Sequence, residues 1–318
     1  MIGSRQLGRT ALQLTCLGFG TGMIGRLDGS DGEDVAAATL ESAWQAGIRY
    51  FDTAPLYGLG RSETRLGRFL QTKPRGAFTI STKVGRLLQR TGSGEPGFVF
   101  DYGGDAALRS LEASLHRLGL GRIDIALVHD IDRWTHGEAQ PLRMGEALDG
   151  ALPTLLQLRG QGVVDAVGLG VNNWQVCREV AQRADIDCFL LAGRHTLLDQ
   201  EASAELLPLC GERGIGLIIG GPYNTGILAT GSVAPGTYNY APAPADVIDR
   251  VRRIESVLAR HGVTLAAAAL NYPLLDPAVA TVIPGLASPA EVDAAVAHVA
   301  RRIPREVWAE LRTEGLLR

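Results

Sequence analysis

GIRYFDTAPLYGLGRSETRLGRFL, residues 47–70, carries one complete copy of the pattern that decides the fold. Residues 50–53 are a short apolar and aromatic run that ends on an aspartate and a threonine. A turn follows, and residues 61–70 then recur with helical period. Gly47 stands where a glycine stops a helix, just past the segment 33–46. Strand, turn and helix in this order argue for a βαβ unit and a parallel sheet.

The same unit repeats outward in both directions. Residues 5–16 read as a hairpin ahead of the first repeat. Strands are expected at 17–20, 50–53, 78–84, 123–129, 164–171, 188–192, 215–220 and 280–283. Helices are expected at 33–46, 61–70, 105–118, 146–160, 174–184, 201–213, 246–261, 264–272 and 289–298, with a tail helix near 305–312. Eight strands suit a closed (β/α)8 or TIM barrel better than an open doubly wound sheet. No linker or composition break divides the 318 residues, so one α/β domain spanning 1–318 is expected, an ordinary size for such a barrel. The longest irregular stretches are 86–104, 130–145 and 222–245. Each follows a strand C-terminus, which in a barrel is the face that carries active sites.

Composition narrows the partners. The chain is 46% hydrophobic and 20% charged, as a soluble protein with a large core should be. A net charge of −3 and the lack of a Lys/Arg run give nucleic acid nothing to hold. No stretch approaches the ~20 consecutive apolar residues of a membrane span, and the opening residues lack an apolar run of signal length. The expected compartment is the cytoplasm. Cys16, Cys177, Cys188 and Cys210 are scattered, with no C-x-x-C pair, and read as free thiols.

Four polar residues fall at or just beyond strand ends: Asp52, Tyr57, Lys83 and His129. Singly, each has an ordinary structural explanation. Together they come from adjacent strands whose ends a barrel brings to one rim. Their chemistry also coheres. A phenol with an ordinary pKa of about 10 exchanges protons poorly near neutrality. A lysine ammonium beside it favours the phenolate and is expected to lower that pKa. A carboxylate keeps the ammonium charged and oriented, and an imidazole can hydrogen-bond the reacting oxygen. This is a general acid/base for a carbonyl–alcohol pair. It contains no activated nucleophile, and no metal site is expected; "HDID" at 129–132 has no second histidine cluster to support one.

GIRYFDTAPLYGLGRSE at 47–63, STKVG at 81–85 and IDIALVHD at 123–130, followed by GLGVNN and VIPGLASPAEV, resemble the aldo-keto reductases. The resemblance runs through most of the chain. It implies a (β/α)8 barrel with a nicotinamide cofactor across its C-terminal rim, and a catalytic tetrad of Asp52, Tyr57 as acid/base, Lys83 and His129. Within the family, GFGTGMIG, LLAGRHTLLDQ and GGPYNTGIL are similar to the branch that oxidises the anomeric hydroxyl of an aldose to a lactone. Pyridoxal oxidation, through its hemiacetal, is the related alternative; general aldehyde reduction is a third. A cofactor-binding subunit without activity, which could keep the same four residues, is the reading from a different class.

The resemblance also implies cofactor contacts at Gly20, Thr21, Asn172, Asn173, Gly220, Tyr223, Pro284, Gly285, Leu286 and Glu291. Asn172 stands where a serine is usual. Gly220 stands where an aromatic usually stacks on the nicotinamide, and Tyr223 is a possible substitute. Residues 281–296 contain no Lys or Arg to hold a 2′-phosphate, and Gly285 and Glu291 occupy positions where such residues are frequent. An acidic side chain repels a phosphate and can accept from a free ribose hydroxyl. NAD is therefore expected over NADP. Substrate contacts are expected from Asp130, Asp132, Trp134 and His136, in the polar stretch after His129.

Overall fold

The computed structural model describes residues 2–29, 31–90, 92, 94–234 and 236–318; positions 91, 93 and 235, inside two of the expected long irregular stretches, lie outside them. Eight parallel strands form the centre: β1 (Phe19–Gly20), β2 (Tyr50–Asp52), β3 (Thr79–Val84), β4 (Ile125–His129), β5 (Ala166–Val171), β6 (Cys188–Ala192), β7 (Gly216–Gly220) and β8 (Val279–Ile283). They pair in chain order from β1 to β8. Closure comes from the backbone. Gly18 N donates to Val282 O at 2.9 Å, Gly20 N to Pro284 O at 3.1 Å and Val282 N to Cys16 O at 3.0 Å. The result is a nearly closed (β/α)8 barrel.

Strands covered on both faces need apolar side chains at every position rather than alternation. AVGLGV, GLIIG and VATVI carry no charge and one polar residue, Thr281, and every residue in them is buried. Glycines in β5 let neighbours close in: a Cβ on Gly168 would fall 1.8 Å from Cys188 O. The outer layer is α1 (Gly32–Gln45), α2 (Arg61–Leu70), α3 (Gly104–Leu118), α4 (Leu152–Gly160), α5 (Trp174–Arg183), α6 (Ala202–Arg213), α7 (Ala245–Arg260), α8 (Leu265–Asn271) and α9 (Pro289–Ala300). The tail helix α10 (Arg305–Thr313) buries Val307, Trp308 and Leu311 against Val251, Ile254 and Leu258 of α7. No described helix is long and apolar enough to cross a membrane.

Ser4–Gln6 pairs antiparallel with Gln13–Thr15. Leu7 and Leu14 of this hairpin are fully buried among Tyr50, Ile125, Leu127, Cys188 and Ile218. The hairpin thus closes the N-terminal end of the barrel.

The three stretches expected to be irregular hold ordered elements. Arg86–Arg90 pairs antiparallel with Pro96–Phe100. Residues after 130 form the short helices Arg133–His136 and Gln140–Glu146, and the second runs through a wide π turn, Ala147–Ala151, into α4. The expected helix at 146–160 therefore starts earlier. Pro153 lacks the N–H that an α-turn would use, and the π turn ahead of it absorbs that gap. Beyond β7, Ile227–Thr230 is helical, and Thr237–Tyr238 pairs with Ala241–Pro242 across Asn239 and Tyr240.

Candidate active site

Period-two alternation builds the centre of the site. Tyr50 and Asp52 share one face of β2, and Ser81 and Lys83 share the facing side of β3; Asp52 pairs in register with Ser81. Lys83 Nζ donates to Asp52 Oδ2 at 2.7 Å, to Asp52 Oδ1 at 2.9 Å and to Thr53 O at 2.9 Å. The ammonium also hydrogen-bonds the Tyr57 side chain, so it links the carboxylate to the phenol. Ser81 Oγ donates to Asp52 Oδ1 at 2.7 Å and lies 2.8 Å from the Tyr50 hydroxyl. Lys83 and Asp52 are only 1% and 2% exposed, which rules out the solvent-seeking role usual for a strand-end lysine. Burial opposes the charge on Lys83, but Asp52 and Tyr57 together outweigh it and the ammonium is held charged.

Tyr57 hangs from the turn after β2. Its N–H donates to Ala54 O at 3.1 Å and its carbonyl accepts from Ser62 N at 3.2 Å. Gly58 is required there: its φ is +61°, and a Cβ would lie 2.1 Å from Gly25 O. The Lys83 ammonium sits 4.8 Å from the Tyr57 ring centre, and the His129 ring meets Tyr57 edge-on at 6.1 Å. So the phenol, ammonium, carboxylate and imidazole do meet. The phenol pKa departs from the expected direction. Burial pushes it up to about 12, and Lys83 recovers only part of that rise. Burial also drives His129 well below its ordinary value, with Lys83 and Arg86 adding to the effect, so the imidazole is neutral.

A two-lobed cleft opens above these residues. One lobe, of about 380 Å³, is lined by Tyr57, Lys83, His129, Arg86, Asp130 and Trp134 among others. The other, of about 220 Å³, runs over Gly20, Gly22, Gly193, Gly220, Gly221 and Gly285. Tyr57, Asn172, Arg26 and Tyr240 line both. A family model of the aldo/keto reductase family matches residues 16–313. The chain belongs to this family. It is 41% identical to pyridoxal 4-dehydrogenase of Microbacterium luteolum, over 98% of this chain and 97% of that protein. It is 38% identical to D-threo-aldose 1-dehydrogenase of a Pseudomonas species, over 96% and 95%. Among solved structures, the holo form of an aldo-keto reductase from Bacillus halodurans superposes with a TM-score of 0.80 at 25% identity, covering 100% of this chain and 97% of that one.

As an aldo-keto reductase the chain is an oxidoreductase of the nicotinamide-dependent kind. The glycine lobe fits such a group. Six glycines leave bare backbone along its floor, and on Gly220 a Cβ would already crowd Leu190 at 3.1 Å. Gly20, Asn172, Gly220 and Gly285 line this lobe. Asn173 is half-buried at the start of α5 and does not line it. Thr21 is buried behind Asp52, its hydroxyl donating to Asp52 O at 2.8 Å and accepting from Ser62 Oγ at 2.6 Å. Tyr223 packs into the apolar clusters and does not line the cleft. Pro284 and Leu286 are buried beneath the exposed Gly285. Ser288 caps α9, its Oγ accepting from Glu291 N at 3.3 Å, and Glu291 Oε2 reaches back to accept from Ala287 N at 2.8 Å.

Of the expected substrate contacts, Asp130 and Trp134 line the larger lobe. Asp132 does not. It is fully buried, with Oδ1 accepting from Thr135 N at 3.0 Å and Oδ2 from Asn172 N at 2.6 Å, and so it pins the loop to β5. His136 sits behind the wall, 2.9 Å from the Tyr102 hydroxyl and edge-on to Phe100. Sequence reading passed over Arg26, Arg86, Arg194 and Tyr240. Arg86 follows STKVG directly and was open to notice. Tyr240 reaches the cleft from a distant turn, which no local pattern announces.

Proposed function

We propose that this aldo-keto reductase is a dehydrogenase of cyclic hemiacetals, one domain in all. It oxidises the anomeric hydroxyl of an aldose, of the L-fucose, L-galactose or D-threo type, to a lactone, with NAD preferred over NADP. The observation that carries the reading is the Tyr57 phenol placed beside the buried Lys83–Asp52 pair where the two lobes meet. When bound, the nicotinamide supplies a hydride acceptor. Tyr57 takes the proton of the reacting hydroxyl. Lys83, held charged by Asp52, stabilises the phenolate that this step requires. His129, neutral, donates to the reacting oxygen and fixes its direction. Trp134 and Tyr240 offer ring faces, and Asp130 and Asn172 offer polar groups to ring hydroxyls. The preference for NAD is supported by residues 281–296, which carry Glu291 and no basic side chain.

Pyridoxal, closed as its hemiacetal, is the second reading. The 41% identity to a pyridoxal 4-dehydrogenase favours it, and the same proton chemistry would serve. One assay decides between them: cofactor reduction with L-fucose, L-galactose, D-arabinose, L-glucose and pyridoxal, each with NAD+ and NADP+. Lactone formation with a sugar and NAD+ is the expected result. Turnover of open-chain aldehydes alone would overturn both readings.

A further inference from the structure

Asp130 is the residue next to His129, and its backbone is left-handed, with φ +52°. Such a conformation costs free energy in a non-glycine residue and persists where its surroundings over-determine it. Here Asp130 N donates to Gly170 O at 2.8 Å, and the Tyr102 hydroxyl reaches both His129 O and Asp130 O, at 2.9 and 3.0 Å. The conformation turns the carboxylate back over the imidazole. Oδ2 lies 3.2 Å from His129 Nε2 and accepts from Arg86 Nη2 at 2.6 Å, while Oδ1 accepts from Asn172 Nδ2 at 3.3 Å. Arg86 is fixed in turn by the Phe98 and Phe100 rings of the β-hairpin, 5.1 and 4.9 Å away.

Among the described residues, His129 Nδ1 is buried with no hydrogen-bond partner. A proton on Nδ1 would be orphaned, so the single proton of the neutral ring belongs on Nε2, toward Asp130 and the cleft. An imidazolium, needing partners for both N–H groups, is disfavoured further. Yet a bare carboxylate at 3.2 Å would draw a second proton onto the ring. We propose that Arg86 and Asp130 are positioning residues for His129: the carboxylate steadies the Nε2–H edge, and the guanidinium cancels the charge that would otherwise convert the ring to imidazolium. Among the described residues, the other charged and titratable groups around the ring are Lys83 and Asp52 from β3 and β2, the Tyr57 and Tyr102 phenols, and, behind the Tyr102 hydroxyl, His136 and Asp132. Lys83 and Asp52 pair with each other, which leaves Asp130 as the carboxylate that Arg86 must balance.

The inference rests on the reading above only in giving His129 the role of a neutral donor, and its test does not use turnover. The probe is NMR of the full chain with isotopically labelled histidine rings, the His129 signal being identified by its loss in His129→Gln. In the wild type His129 stays neutral with its proton on Nε2 from about pH 5 to 8, the span in which an unperturbed histidine titrates. In Arg86→Gln it titrates within that span. In Arg86→Gln/Asp130→Asn it is silent again, which general damage to the fold would not produce. In Arg86→Lys, which keeps the charge, it is also silent. A silent His129 in Arg86→Gln, or titration in either of the last two variants, overturns the proposal. Failure to reduce NAD+ with any hemiacetal would overturn the functional reading and leave this result standing.

Discussion

Gly170 and Lys83 face one another across the barrel interior, close enough that a Cβ on Gly170 would lie 3.0 Å from Lys83 Cε. The lysine stem cannot swing aside freely, because its ammonium is committed to Asp52 and Thr53. Gly170→Ala should therefore move the ammonium away from Tyr57. Turnover should fall at least tenfold, with a stability loss of about 1–3 kcal/mol, the usual cost of one excess methyl in a packed interior. Steady-state kinetics and urea unfolding on the same preparation check both numbers. Wild-type turnover in Gly170→Ala would mean that the position of the ammonium is not critical.

Asp52→Asn removes the charge that justifies burying Lys83. Breaking a buried ion pair from one side costs about 3–5 kcal/mol, because the remaining charge is uncompensated. Replacing both partners, in Asp52→Asn/Lys83→Met, should restore much of the stability while leaving the enzyme inactive. Denaturant unfolding of wild type, single and double variants reads the difference. A double variant no more stable than the single would remove the pair's electrostatic account.

The phenol of Tyr57, pushed up to about 12, is protonated at neutral pH. Oxidation requires the phenolate, so its rate should climb with pH, by about tenfold per unit well below that value. Reduction in the reverse direction draws on the protonated form and should be flat through neutrality. Tyr57→Phe should abolish turnover and with it the slope. A pH profile of the oxidation that levels off near pH 7 would contradict the buried-phenol assignment.

Glu291 is tied into the cap of α9 through Ala287 N and Ser288 Oγ. Glu291→Lys exchanges an acid for a base beside the strand end that Gly285 leaves open. The KM for NADP+ should drop by about tenfold, in the direction electrostatic pairing dictates, and salt should weaken the gain. The Ser288 cap survives, because it uses the backbone N–H of residue 291, and only the side-chain bond to Ala287 N is lost, at a cost on the order of 1 kcal/mol. Initial rates with both cofactors at low and high ionic strength test this. An unchanged ratio of efficiencies would place the selectivity elsewhere.

Sequence reading reached the barrel because its strands are nearly pure apolar runs, and it reached Lys83 because a lysine in ISTKV interrupts one. Asp132 shows the limit. Its place in the chain resembles that of Asp130, but one carboxylate turns into the cleft and the other caps a helix, and side-chain direction is set by a backbone dihedral that no residue pattern encodes. The helix that starts at Gln140 was hidden by Gly145, Gly150 and Pro153, which break its period. The rise in the Tyr57 pKa was missed for a related reason: the neighbouring charge is legible in the sequence, whereas the extent of burial depends on how the whole rim closes.

The stopper formed by Leu7 and Leu14 gives the barrel one mouth. Whatever occupies either lobe must come and go by the rim where Tyr57 and Tyr240 stand. Both lobes open on that same rim and share Tyr57, Asn172 and Tyr240 as a common wall, so two molecules seated side by side there meet at the phenol.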